Sequence, residues 1–456
     1  MNGTQPQVKA RRQLAFAGLG LTTIAIIVTI LLRLSGLATL QPHSLRAGAD
    51  VTPQPSPSAL AEADSRDTLR FLLRRVKSDP EDFLAQGMLA SALLQKVRET
   101  GSADYLERAK QAAAASLASV PAVRNRGGLS AQARVAMAEH DFVAARDGGL
   151  RLTQLDPGGL NSWGVLTDAY LELGDYAKAD AAIQRMRSLG GETAETEIRF
   201  GRLLFLQGDS ESAKKHLFRA LAFALNIPVP PRETVAWCRW QLGELAFSTG
   251  DLASAEQRYR ESLATYPGYV QALASLGRVL AARADLPGAI AAYEEATHRF
   301  PDPTFIAALG DLYSIAGQEN LAETQYQLVE QIGHLSALNG IRYNRQLATF
   351  YADHDRNGEA AYEDALREYA QRRDIYGADT LAWTALKSGH LAEAQRMMSA
   401  ALRLSTRDAK LFFHAGMIAK ASHHPTEGRE NLRRALALNA AFDPLQSRIA
   451  REALAN

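Results

Sequence analysis

Thiol chemistry is nearly missing from this chain. Its 456 residues contain one cysteine, Cys238, which excludes an intrachain disulfide framework and a thiolate-based zinc site. An excess of charge is missing as well. With 51 basic against 50 acidic residues and a net charge of +1, nothing global draws the chain toward nucleic acid. Catalytic signatures are also lacking, because no Gly-rich phosphate loop, nucleophile elbow or paired-histidine zinc helix occurs. What is present, 46% hydrophobic and 22% charged residues, excludes wholesale disorder.

One long uncharged run stands out, LAFAGLGLTTIAIIVTILL from Leu14 to Leu32. At 1.5 Å per residue its length roughly matches a hydrocarbon core, and it reads as a transmembrane helix over residues 13–33. Lys9, Arg11 and Arg12 crowd its N-terminal flank, whereas Arg33 is followed by no basic residue until Arg46. The positive-inside rule then keeps residues 1–12 cytoplasmic and sends the rest of the chain to the outside, periplasmic or cell-surface. A cleaved secretory signal is the competing reading, and a reversed, cytoplasmic topology a third. Residues 34–65, rich in Pro, Ser and Ala, read as a spacer, with a leading helix expected over 66–79.

Beyond the spacer the chain repeats itself. Gly174, Gly208, Gly250, Gly317 and Gly389 are each followed by a polar or capping residue, and Asp175, Asp209, Asp251 and Asp285 stand where helices start. Gly174 and Gly208 lie 34 residues apart, as do Asp251 and Asp285. Ala179, Ala213, Ala255, Ala289, Ala322 and Ala394 follow at a fixed offset, where two helices must approach closely. Tyr259, Tyr293 and Tyr326 come one helical turn later. Pro157, Pro267 and Pro301 stop second helices.

These residues carry a resemblance to the tetratricopeptide repeat family. Leu276, Gly277, Leu280, Ala289, Tyr293, Ala296 and Pro301 meet its pattern in one unit; Leu242, Gly243, Ala246, Ala255, Tyr259 and Pro267 meet it in a second, and Trp163, Leu166, Tyr170, Ala179 and Ile183 in a third. The register predicts about ten helical pairs over residues 80–442, broken by an insertion at 227–235 and capped by a helix at 443–456. The fold class is therefore expected to be all-α, a solenoid preceded by one membrane helix. The resemblance implies a right-handed superhelix whose first helices line a long, preformed concave groove for extended peptides or partner helices.

Family geometry then selects the groove candidates: Arg202, Phe205, Trp237, Trp240, Glu244, Phe247 and Arg278, with a second cluster of Arg342, Arg345, Tyr376, Trp383 and Phe413. Aromatic and Arg side chains anchor recognition because they bury large areas at little entropic cost. The same spacing equally fits core packing for Trp237, Phe247 and Trp383, and solvated surface charge for Arg202, Arg278 and Arg345. A subclass of the family clamps a C-terminal carboxylate with asparagine and basic residues. Here the matching position is Arg202, Glu244, Arg278 or Asp311, which disfavours that ligand. The expected role is a non-catalytic, cofactor-free, membrane-anchored scaffold for a protein or peptide, serving assembly or transport of an envelope component. The alternative is a metal-handling accessory factor using the turn histidines His423 and His424, with His354 and His390 in equivalent turns.

Overall fold

The computed structural model describes residues 57–338 and 345–455. The membrane segment proposed at Leu14–Leu32, most of the spacer, and Arg342 lie outside them. Among the described residues there are 22 α-helices and one 3-10 turn, without a strand, and none of those helices is long and apolar enough to cross a membrane.

A leading helix α1 (Pro57–Ser78) opens the fold. It starts earlier than the sequence reading placed it, and the spacer is shorter, because Pro57 suits a first helical position and Ala, Leu and Glu follow. Ten helical pairs come next. Units 1 to 3 are α2 (Phe83–Thr100) with α3 (Ala103–Ser119), α4 (Arg126–Ala138) with α5 (Phe142–Leu155), and α6 (Leu160–Leu173) with α7 (Tyr176–Gly190). Units 4 to 6 are α8 (Ala194–Leu206) with α9 (Ser210–Leu225), α10 (Arg232–Ser248) with α11 (Leu252–Thr265), and α12 (Val270–Ala282) with α13 (Leu286–Arg299). Units 7 and 8 are α14 (Pro303–Ile315) with α15 (Glu319–Leu338) and α16 (Arg345–Asp353) with α17 (Gly358–Gln371). Units 9 and 10 are α18 (Ile375–Lys387) with α19 (Leu391–Ala401) and α20 (Ala409–Ala421) with α21 (Pro425–Leu438). A final helix α22 (Gln446–Ala455) starts where Asp443 accepts the amides of Leu445 and Gln446 at 2.9 and 2.8 Å.

Local chemistry explains the turns. Gly174, Gly208, Gly250, Gly317 and Gly389 take φ between 73° and 81°, the left-handed conformation that ends a helix, and Ala284 takes it at 64° where glycine is missing. Asp209, Asp251 and Asp285 then accept the amides of Ser212, Ser254 and Gly288 at 3.0 to 3.1 Å. Asp175 departs from the series: it makes no side-chain cap and lies 3.2 Å from Lys178 instead. Within a unit the small residue of the first helix receives the large one of the second. A Cβ on Gly277 or Gly310 would come within 2.6 Å of the ring of Tyr293 or Tyr326. The recurring alanines are fully buried beside these contacts.

The array also closes on itself. The Ile375 amide donates to the Tyr176 hydroxyl oxygen at 3.0 Å across 199 residues, the Thr406 hydroxyl donates to the Leu206 carbonyl across 200, and Asn439 donates to the Phe247 carbonyl at 2.7 Å across 192. About six units of 34 residues thus make one superhelical turn, and successive turns touch. The largest apolar cluster belongs to both turns, joining Leu166, Tyr170 and Leu206 to Ile375, Leu381 and Ile418. A repeat array usually couples each unit to its neighbours only. This one has a second, lateral seam.

Candidate partner-binding surface

The first helices of units 2 to 7 each place one charged residue directly after the small packing position, and the sign alternates along the array: Arg134, Asp168, Arg202, Glu244, Arg278, Asp311. The members from Asp168 onward are satisfied inside the protein. Arg199 lies against α6 over the bare backbone of Gly164 and donates to Asp168 through Nε at 3.0 Å and Nη2 at 2.6 Å. Arg202 pairs with Glu172. Arg278 Nη2 donates to both Glu244 oxygens at 2.7 Å, and the same carboxylate accepts from Tyr259 at 2.8 Å and Ser275 at 2.7 Å. Asp311 accepts from Tyr326 and faces His354 Nε2, both at 2.8 Å. Arg134 is the exception. It has only a long 3.4 Å bond to Asn161 and no carboxylate in ion-pair range among the described residues. Partial desolvation by the surrounding protein, with Arg199 and Arg98 nearby, lowers its pKa.

The candidates divide accordingly. Phe247 is 5% exposed with the Arg278 guanidinium 4.1 Å above its ring, and Trp383 is 4% exposed, stacked 4.2 Å from His414 with its indole N–H donating to Asp353 at 2.7 Å. Both are core side chains. Phe413, at 1%, is another. Trp237 and Trp240 stay half-buried, edge to face at 6.5 Å, with Trp240 donating to Ser275 at 2.9 Å. Phe205 is half-buried as well. Tyr376 donates to Asp408 at 3.3 Å, and burial, with Asp408 beside it, pushes its phenol well up.

Arg202 and Arg345 belong to two different candidate clusters, yet the seam joins them. Glu172 pairs with Arg202 and with Arg372 from the next superhelical turn; Arg372 Nε reaches Asp374 at 3.1 Å, and Arg345 binds Glu368 and Asp374 at 2.6 Å each. Burial alone would raise Glu172, but Arg202 and Arg372 bring it down to about 2. These arginines are therefore not solvated surface charges. They brace the Glu172–Arg372 pair, which crosses between the turns.

At the far end Asp353 collects Trp383, Gln446 at 2.7 Å and Lys410 at 2.9 Å. Burial would lower the Lys410 ammonium, but Asp353 and Asp443 push it up. The first helices of units 9 and 10 are thus almost wholly buried among their neighbours, whereas those of units 2 to 5 keep more half-buried and exposed positions. Arg134, Asp168, Glu172 and Arg372 were not singled out from the sequence. Counting charge at the position after the small residue would have found the first two. No group of three or more His, Cys, Asp or Glu placed to hold a metal exists among the described residues.

Stacked antiparallel helical pairs, small-to-large packing inside each pair and a charge ladder on the first helices define an α-solenoid repeat protein. Family models described as tetratricopeptide repeat match residues 192–268 and residues 63–116 and 241–302, so these segments are tetratricopeptide repeats. The TPR repeat-containing protein YpiA of Bacillus subtilis (strain 168) is 27% identical over 250 residues, 52% of this chain and 55% of that protein. The chain thus spans about half the length of the curated relative it matches. Among solved structures, the human IFIT1 dimer with PPP-AAAA gives a TM-score of 0.44 at 14% identity, covering 83% of this chain and 95% of that one. PilW, a type IV pilus biogenesis factor, gives 0.38 at 19% identity, covering 44% and 91%, and Pseudomonas aeruginosa PilF gives 0.35 at 16%, covering 56% and 99%.

Proposed function

We propose that the chain is a non-catalytic, cofactor-free scaffold that holds a protein or peptide partner on the inner wall of units 2 to 5. The observation that carries this reading is the set of side chains left open there: the Trp237–Trp240 pair, Phe205 and the guanidinium of Arg134, with Arg202 held by Glu172. The aromatic members are half-buried and Arg134 is exposed, and all are of the chemistry that anchors protein interfaces. Near-zero net charge favours a protein over nucleic acid. Glu244, Phe247, Arg278, Arg345, Tyr376 and Trp383 support that wall from within. Anchoring through Leu14–Leu32, placement outside the cytoplasm and service in assembly or transport of an envelope component complete the reading, supported by the flanking charges of the apolar run. The metal-handling alternative gains no third ligand beside His423 and His424 among the described residues.

The test is site-specific photo-crosslinking in native membranes with the probe at Phe205. The reading expects a discrete protein adduct that disappears when Trp237 and Trp240 are both changed to Ala. An adduct indifferent to that change, or none at all, removes the inner wall from the proposal.

A further inference from the structure

Each unit presents two edges, the turn between its helices and the junction leading to the next unit. The seam is made by one kind of edge meeting the other. The turns of units 1, 3, 4 and 5 press their left-handed glycines against the junctions after units 6, 8, 9 and 10: Gly101 on the Phe300 ring, Gly174 on the Arg373 carbonyl, Gly208 on the Ser405 carbonyl and Gly250 on the Leu438 carbonyl. Phe142 of unit 2 also reaches this edge, 4.6 Å beneath the Arg372 guanidinium at the junction after unit 8. In all four glycine contacts the turn edge fits the junction edge five units further on.

A ten-unit chain leaves half of each edge unused. The turn glycines of units 7 and 9, Gly317 and Gly389, keep the left-handed conformation, yet a Cβ on either would meet nothing within 4 Å. On the opposite edge, Gly158 and Gly191, at the junctions after units 2 and 3, are equally bare. Apolar side chains follow the same division. The last residue of a first helix is buried where the seam covers it, as Leu173 at 9% and Leu206 at 7%, but the equivalent Ile315 is 45% exposed. The first residue of a second helix is buried as Phe142 at 6% and Tyr176 at 7%, but Leu391 is 36% exposed. Leu321 at 40% extends the free turn edge, and Val123 at 63% stands on the free junction edge.

We infer that the occupant of these edges is a second copy of this chain. The turn edge of units 6 to 9 docks on the junction edge of units 1 to 4 of the next molecule, continuing along the superhelix axis the contact each molecule makes within itself. Two different surfaces meet in such a contact, so it is heterologous and does not close: it makes linear stacks rather than a two-fold dimer.

Sedimentation of the full chain in mild detergent, residues 1–56 included, tests this with two variants altered only at exposed positions. One carries Ile315→Glu and Leu391→Glu, the other Val123→Glu and Gly158→Glu. Wild type is expected to show a weight-average mass that climbs with concentration beyond a dimer, and each variant to lose that climb with its helical circular dichroism unchanged. Mixing the two variants should restore one complementary interface and stop at dimers. A wild-type mass that never rises, a rise that either variant retains, or a mixture that stays monomeric would each overturn the inference.

Discussion

The amide of Ile375 donates to the hydroxyl oxygen of Tyr176, 199 residues away, at 3.0 Å. Ile375 is the first residue of α18, so its amide has no partner within the helix. Asp374 caps the amides of Tyr376 and Gly377, which leaves that of Ile375 to a side chain from the other superhelical turn. Both residues are buried, at 0% and 7%. A helix N-terminus is thus completed by the seam.

Removing that hydroxyl is the smallest change that tests the seam. Tyr176→Phe keeps the ring but strands a buried N–H, which costs about 1–3 kcal/mol. Chemical denaturation at 25 °C should show that loss. A variant as stable as wild type would mean that the amide finds water or another acceptor.

Glycine substitutions separate local backbone strain from contact between turns. Gly389→Ala meets only the left-handed φ of 81°, worth about 1–2 kcal/mol. Gly208→Ala bears the same strain at φ 78° and also drives its Cβ into the Ser405 carbonyl, adding about 1–3 kcal/mol of overpacking. The denaturation midpoint should therefore fall further for Gly208→Ala. Equal falls would deny the seam a share in stability.

This contrast also marks what the sequence shows. The Gly–Asp turns, the buried alanines and the Tyr259, Tyr293 and Tyr326 series recur at one period, because each reports a contact within a unit or to the next. Gly208 and Gly389 look alike in sequence, yet only Gly208 touches another turn. That difference depends on superhelical pitch, a sum of small rotations over about six units that no single motif encodes. The aromatic candidates fail to sort for a related reason. Trp237 and Trp383 both sit on first helices, but His414 stacks on Trp383 and covers it, while Trp237 is left half-buried. The ladder from Arg134 to Asp311 was legible, since its members follow the small residue at nearly constant spacing.

The pair His354–Asp311 makes stability depend on pH. Nδ1 lies 2.8 Å from the Phe350 carbonyl oxygen and Nε2 2.8 Å from the Asp311 carboxylate, so both ring nitrogens face acceptors and the imidazolium fits best. Burial alone would lower the His354 pKa, but Asp311, the Phe350 carbonyl and Asp353 outweigh it and hold the pKa above 6.5. Tyr326 and Phe350 cover the ring, and Arg356 lies over Tyr326. With a raised folded-state pKa, the stabilisation is fully present below pH 6.5 and lost as pH climbs through the folded value. Wild type minus His354→Gln, measured by denaturation at a series of pH values, should show that decline. His140, whose pKa is lowered, acts with the opposite sign and cancels in the difference. A pH-independent difference would show that His354 is neutral when folded.

The Arg372 hub predicts the largest single loss. Glu172, Glu368 and Asp374 are 13%, 5% and 6% exposed, and Arg372 touches all three while lying 4.6 Å from the Phe142 ring. Arg372→Met keeps apolar length for Phe142 but leaves these carboxylates with Arg202 and Arg345 alone, a buried imbalance worth about 3–5 kcal/mol. Arg70, 71% exposed and paired with Asp67 on the surface of α1, is the control, and its change to Ala should leave the midpoint where it is. The loss at Arg372 should persist in high salt, because buried pairs are screened little. If the Arg372→Met midpoint instead matches the control, or recovers as salt rises, the ties between turns are surface ion pairs and the lateral seam is held by its apolar contacts alone.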